Sequence, residues 1–193
     1  MGERSGWYIW PRAHAWQTGS NRWENALGFY FHWIESTAFS TWLRESPSLL
    51  AIPTVLLLHT LGMGFLAGTN AAIGLRLLGV ASQMRIAPMQ TFYPLMWSGF
   101  WINAVTGVVL VIAYPTQALT NPVFYIKLTL IGLAVVNART IRNEVFRDPH
   151  LDERPVPRRW KILAGASLFF WAGAIVSGRM LPFTSSQMLT QGY

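Results

Sequence analysis

The chain reads as an all-α integral membrane protein, a four-helix bundle preceded by an amphipathic interfacial helix. Three observations carry that expectation. Four long stretches are almost free of charge, and the charges that exist gather between them. The composition is 52% hydrophobic against 12% charged, and a mean hydropathy of +0.30 lies on the membrane side of the globular average. A net charge of +7 would suggest nucleic acid in a soluble chain. Here the excess falls in one loop between spans, so it reports orientation, and no nucleic-acid partner is expected. The absence of cysteine excludes disulfides, thiolate metal sites and thiol catalysis.

Residues 1–24 form an aromatic-rich extramembrane extension, punctuated by Gly, Pro and Ser and studded with Trp7, Trp10, Trp16 and Trp23. Indoles collect at the lipid headgroup level or anchor on a partner protein, and these four are the candidate partner-binding residues. The stretch lacks an uninterrupted apolar core followed by a small-residue cleavage site, so no cleaved signal peptide is expected. In residues 25–47, Leu27, Phe31, Ile34, Ala38 and Trp42 recur at three and four, while His32, Ser36, Ser40 and Arg44 recur at four on another face. A helix so patterned is too polar to span and is expected to lie on the membrane surface. Pro47 ends it, and Ser48 can cap the next helix.

The four-span bundle covers residues 48–182. Its first span, 49–75, contains no Asp, Glu, Lys or Arg, and about 20 apolar residues suffice to cross the hydrocarbon of a bilayer. His59 is its one ionisable residue, ten positions after Leu49 and so roughly 15 Å down the helix axis. Gly64 and Gly68 make a G-x-x-x-G pattern expected to admit a neighbouring helix. The second span, 91–114, has Pro94 in its first turn, where a missing N–H costs little. The third, 122–138, opens on Asn121 and Pro122, a cap and first-turn signal, contains Lys127, and continues through RTIRNEVF as a solvated end. The fourth, 160–181, carries Arg179 near its end and is expected to stop at Pro182, leaving 183–193 as an outer tail.

The Lys and Arg residues set the orientation. Seven lie from Arg139 to Lys161 between spans three and four, Arg76 and Arg85 lie between spans one and two, and none lies between spans two and three. The first and third loops are therefore expected in the cytoplasm, with both termini on the periplasmic side of a bacterial inner membrane.

Ionisable residues inside spans are the candidate sites. His59 is a candidate cofactor ligand, for haem b or a chlorophyll-type pigment. The alternative is a structural imidazole bonded to a neighbouring helix, with Asn70, Asn103, Thr106 and Asn137 as possible partners. A bis-His haem needs two imidazoles, and His14, His32 and His150 fall outside the spans. Lys127 and Arg179 both fall near the outer end of their spans, as contacts for lipid or another anion, or as cations snorkelling to water. Glu35 and Glu45 are their expected counter-charges. The chain has no phosphate-binding glycine loop, nucleophile elbow or paired acid and base, so no catalytic residue and no metal site is expected.

Several short pieces carry a resemblance. They are Leu-Arg-Glu-Ser before the first span, His-Thr-Leu-Gly within it, Leu-Arg-Leu-Leu-Gly at its end, Asn-Pro-x-Phe-x-x-Lys opening the third, and Ser-Gly-Arg in the fourth. In this order the chain resembles an uncharacterised family of four-helix bacterial inner-membrane proteins and, more distantly, membrane proteins of the copper-resistance and b-type cytochrome kind. The resemblance implies a four-helix membrane fold of bacterial origin. The aromatic extension and the single histidine within the spans depart from it. The expectation is a non-catalytic accessory subunit of a larger, energy-converting membrane complex, in contact with lipid and with other membrane-protein subunits. One alternative is a small haem- or pigment-binding electron-transfer protein using His59. Another is a small transporter with Lys127 and Arg179 on its path.

Overall fold

A computed structural model describes residues 22–148 and 151–190, with side chains for 28–148 and 151–184. Among the described residues every regular element is a helix, with no strand. Helices α1 (Arg22–Glu35) and α2 (Ala38–Glu45) precede α3 (Ile52–Leu78). A 3-10 helix (Ala87–Phe92) leads into α4 (Tyr93–Ala113), followed by the short α5 (Pro115–Leu119), α6 (Pro122–Glu144) and α7 (Arg158–Thr190). Four stretches are long and apolar enough to cross a membrane: Ile52–Leu78, Ala87–Ala113, Pro122–Glu144 and Arg158–Thr184.

Local chemistry explains the boundaries. Gly79, at φ 103°, caps α3 in the left-handed region. Its N–H reaches the Arg76 carbonyl, and the next N–H, of Val80, reaches that of Leu75 at 3.0 Å, satisfying carbonyls the helix leaves open. At α6 the predicted cap is present, since the Asn121 side chain accepts the Val123 N–H at 2.9 Å with Pro122 in the first turn.

Helix α3 packs on α4 and α7, and α6 packs on α7. Residues Gly62, Leu66, Thr69, Ile73 and Leu77 form the buried stripe of α3, spaced at three and four as one helical face requires. The closest crossing is glycine on glycine. A Cβ on Gly62 would stand 3.0 Å from the Gly99 carbonyl oxygen, and one on Gly99 would stand 2.8 Å from that of Gly62. The expected approach at Gly64 and Gly68 is not made, since a Cβ at either would meet nothing. Gly64 lies two residues, or about 200°, from Gly62 around the helix and so faces away.

The surface helix differs from its expected form. It is two helices broken at Ser36 and Thr37, and Thr37 caps α2 by accepting the Ser40 N–H. Two of its four polar-face residues, Ser40 and Arg44, turn inward, while His32 and Ser36 stay exposed. The fully buried Ser40 donates its hydroxyl to the Ile112 carbonyl at 3.2 Å, and Arg44 donates to the Ala113 carbonyl at 3.1 Å and the Glu35 carbonyl at 2.7 Å. The end of α4 explains this: its last carbonyls have no partner within the helix, and a cation there complements the helix dipole. Phe29, Tyr30, Trp33, Phe39 and Trp42 are left exposed.

The fourth long helix also corrects its expected end. Pro182 lies inside α7, which runs on to Thr190, so the region assigned to an outer tail from 183 begins as helix. A proline inside a long apolar helix is tolerated where neighbouring groups compensate the lost hydrogen bond. Here Asn121 braces this turn, donating to Thr184 Oγ1 at 2.8 Å and to the Leu181 carbonyl at 3.4 Å. Helices α1, α2, α5 and the far part of α7 thus share one end of the bundle. The loop at 79–86 and the residues 145–148 and 151–157 share the other, the pairing of ends that the sequence predicts.

Candidate functional site

His59 faces α4. Its Nδ1 lies 2.9 Å from Thr106 Oγ1, and the threonine hydroxyl also has the Ile102 carbonyl at 2.6 Å and the Asn103 carbonyl at 3.2 Å within reach. The imidazole is thus held against α4 by the Thr106 hydroxyl and by a hydrogen bond to the Asn103 backbone. An imidazole oriented through one ring nitrogen can ligate a metal or haem iron through the other. Gly107 lies beside the ring, and a Cβ there would make an ordinary van der Waals contact with Cε1 at 3.5 Å. Of the expected partners, Thr106 makes the side-chain bond to His59. Asn70 donates to the Leu66 carbonyl of its own helix, and Asn137 donates across to the Leu163 carbonyl of α7.

Lys127 is half-buried, with its stem along α7. Its Cε and Nζ lie 3.4 Å from where a Cβ of Gly178 would stand. Gly178 is four residues before Pro182, so its carbonyl lacks the usual helical donor. Arg179, one residue beyond Gly178, is exposed. Among the described residues no ion pair links Lys127 or Arg179 to Glu35 or Glu45. The Glu35 carboxylate instead accepts from the Thr116 hydroxyl at 2.7 Å and the Thr116 N–H at 3.3 Å. Trp7, Trp10 and Trp16 lie outside the described residues, and Trp23 falls in the first turn of α1 with its side chain outside them.

Sequence reasoning missed the joint at the opposite end. Asp152 accepts the Ile86 N–H at 2.7 Å and the Ala87 N–H at 3.3 Å, with Arg85 at 3.6 Å. Burial acts to raise the Asp152 carboxyl. The two N–H donors and the charges of Arg85 and Arg76 outweigh it and hold the group below the ordinary aspartate range. Arg76 closes the first of the joined loops by donating to the carbonyls of Met84 and Ser82. The only signal in the sequence was the mixed charge of DERPVPRR, which reads equally well as a solvated loop. On α7, Ser167 Oγ and Trp171 Nε1, one turn apart, are buried with no hydrogen-bond partner among the described residues. No family model, curated protein or solved structure matches the chain.

Proposed function

We propose that the chain is a multi-pass, non-catalytic accessory subunit of a larger complex in a bacterial inner membrane, with its arginine-rich loops in the cytoplasm. The observation that carries this reading is the α1–α2 pair. Its polar side is committed to the end of α4 through Ser40 and Arg44, so the pair is held in place while five aromatic side chains point outward. Rigid exposed aromatics are what protein interfaces use as anchors, and the tryptophan-rich segment 1–21 leads directly into them. The complex is proposed to be an energy-converting one because His59 gives the bundle one position where such a complex could share a cofactor.

Gentle detergent extraction from native membranes, followed by size separation, tests the reading. Co-migration with larger subunits is expected, and release of the chain as a free 21.7 kDa species on the double substitution Trp33→Ala and Trp42→Ala. A chain that runs alone without substitution overturns it.

A second reading, a haem- or pigment-binding electron-transfer protein, is favoured by the Thr106-oriented His59. An absorption spectrum across the same peak tests it. A Soret band lost in His59→Ala supports a ligand at this position, and a colourless peak removes the reading.

A further inference from the structure

At the arginine-rich end, an open cavity of about 230 Å³ lies between the loops at 79–86 and 151–157. Its lining is of two kinds. Ile86 and Leu151, both part of the main core, give it an apolar floor together with Val156. Arg76, Arg154 and Lys161 bring three cationic side chains to the same space. The carboxylate in the lining, Asp152, is already taken by two backbone N–H groups and Arg85. Arg76 gives its hydrogen bonds to neutral carbonyls, and it shares the Asp152 charge with Arg85, so the two arginines outnumber that carboxylate. Arg154 has Asp148 at 3.3 Å, and Lys161 makes no ion pair among the described residues.

We propose that this cavity binds the phosphate of an anionic phospholipid headgroup. Arg76 stands in the last turn of α3 and Lys161 in the first of α7. Both helices are apolar enough to span, so these cations sit where a span gives way to headgroups. Basic pockets between spans at a positively charged end suit such lipids. The apolar floor adds a surface for the glycerol and first acyl carbons, which a small soluble phosphate would leave uncovered. The site is independent of the accessory role proposed above, since it lies at the opposite end from α1 and α2.

Lipid retention by the purified full-length protein tests the proposal. The protein in mild detergent is offered equal amounts of phosphatidylglycerol and phosphatidylcholine, and bound lipid is read by native mass spectrometry. Preferential retention of phosphatidylglycerol is expected, falling about fivefold in Lys161→Gln and again in the double substitution Lys161→Gln and Arg154→Gln. Arg142→Gln should leave it unchanged, because Arg142 lies over the Tyr93 ring at the same end but outside the cavity. Lys161 makes no ion pair among the described residues, and unchanged thermal unfolding of Lys161→Gln confirms that the fold is intact. Equal retention of the two lipids overturns the proposal, as does an equal loss in Arg142→Gln and Lys161→Gln, which signifies general surface attraction. Inorganic phosphate alone separates the sources. If it stabilises the protein through Lys161 while phosphatidylglycerol is not preferred, the cavity takes a soluble phosphate and the lipid assignment fails.

Discussion

An added methyl at Gly99 would stand 2.8 Å from the Gly62 carbonyl oxygen, a backbone atom that can move only with its helix. Gly99→Ala is therefore expected to lower stability by about 1–3 kcal/mol through overpacking. Gly64→Ala meets nothing and should be neutral or raise stability by about 0.5–1 kcal/mol from helix propensity. Thermal unfolding in one detergent compares the two, and equal destabilisation would mean a further surface rests on Gly64. The sequence offered all these glycines without saying which would touch. A span apolar all round hides its buried stripe, so the rotation of α3 could not be read from periodicity. The same holds for His59. Thr106 stood among its four possible partners, but choosing it required the antiparallel crossing of α3 and α4 at Gly62 and Gly99.

Helices and loops show a second pattern, in which the demand of one element decides the orientation of another. The apolar recurrence of residues 25–47 predicted a surface-lying helix, yet the unpaired carbonyls closing α4 turned Ser40 and Arg44 inward. Nothing within those residues announces that need. The joint at Asp152 was hidden for a related reason, since it links loops 66 residues apart. Its behaviour with pH follows from the sign of the shift. A carboxylate held below its unfolded value contributes stability above the ordinary aspartate range and loses it as pH falls through the lower folded value. Amide exchange at Ile86 and Ala87 should therefore stay slow from neutral to mildly acidic pH once the intrinsic rate is allowed for, and quicken below the ordinary aspartate range. Asp152→Asn, which removes the charge and one acceptor, should raise it about tenfold at neutral pH. Unchanged exchange in that variant would show that the joint does not hold the loops.

For the whole molecule, the four long apolar helices, the Asn121 cap and the sharing of ends were legible, because length, hydropathy and alternation are properties of the chain itself. The side of the membrane each end occupies is a prediction of the arginine distribution. Alkaline phosphatase fused after Tyr193 should be active in a bacterial host, and fused after Arg147 inactive. The reverse result would invert the topology and move the proposed lipid cavity to the outer leaflet. Helix α7 adds a matter of height. Its 33 residues make a rod about 50 Å long at 1.5 Å per residue, against a hydrocarbon layer of about 30 Å. With Arg158 beginning it at the charged end, a spanning α7 is expected to carry much of the surplus past the hydrocarbon at the end where α1, α2 and α5 lie, as a post. Any subunit seated on the exposed aromatics must leave headroom for that post or lean against it.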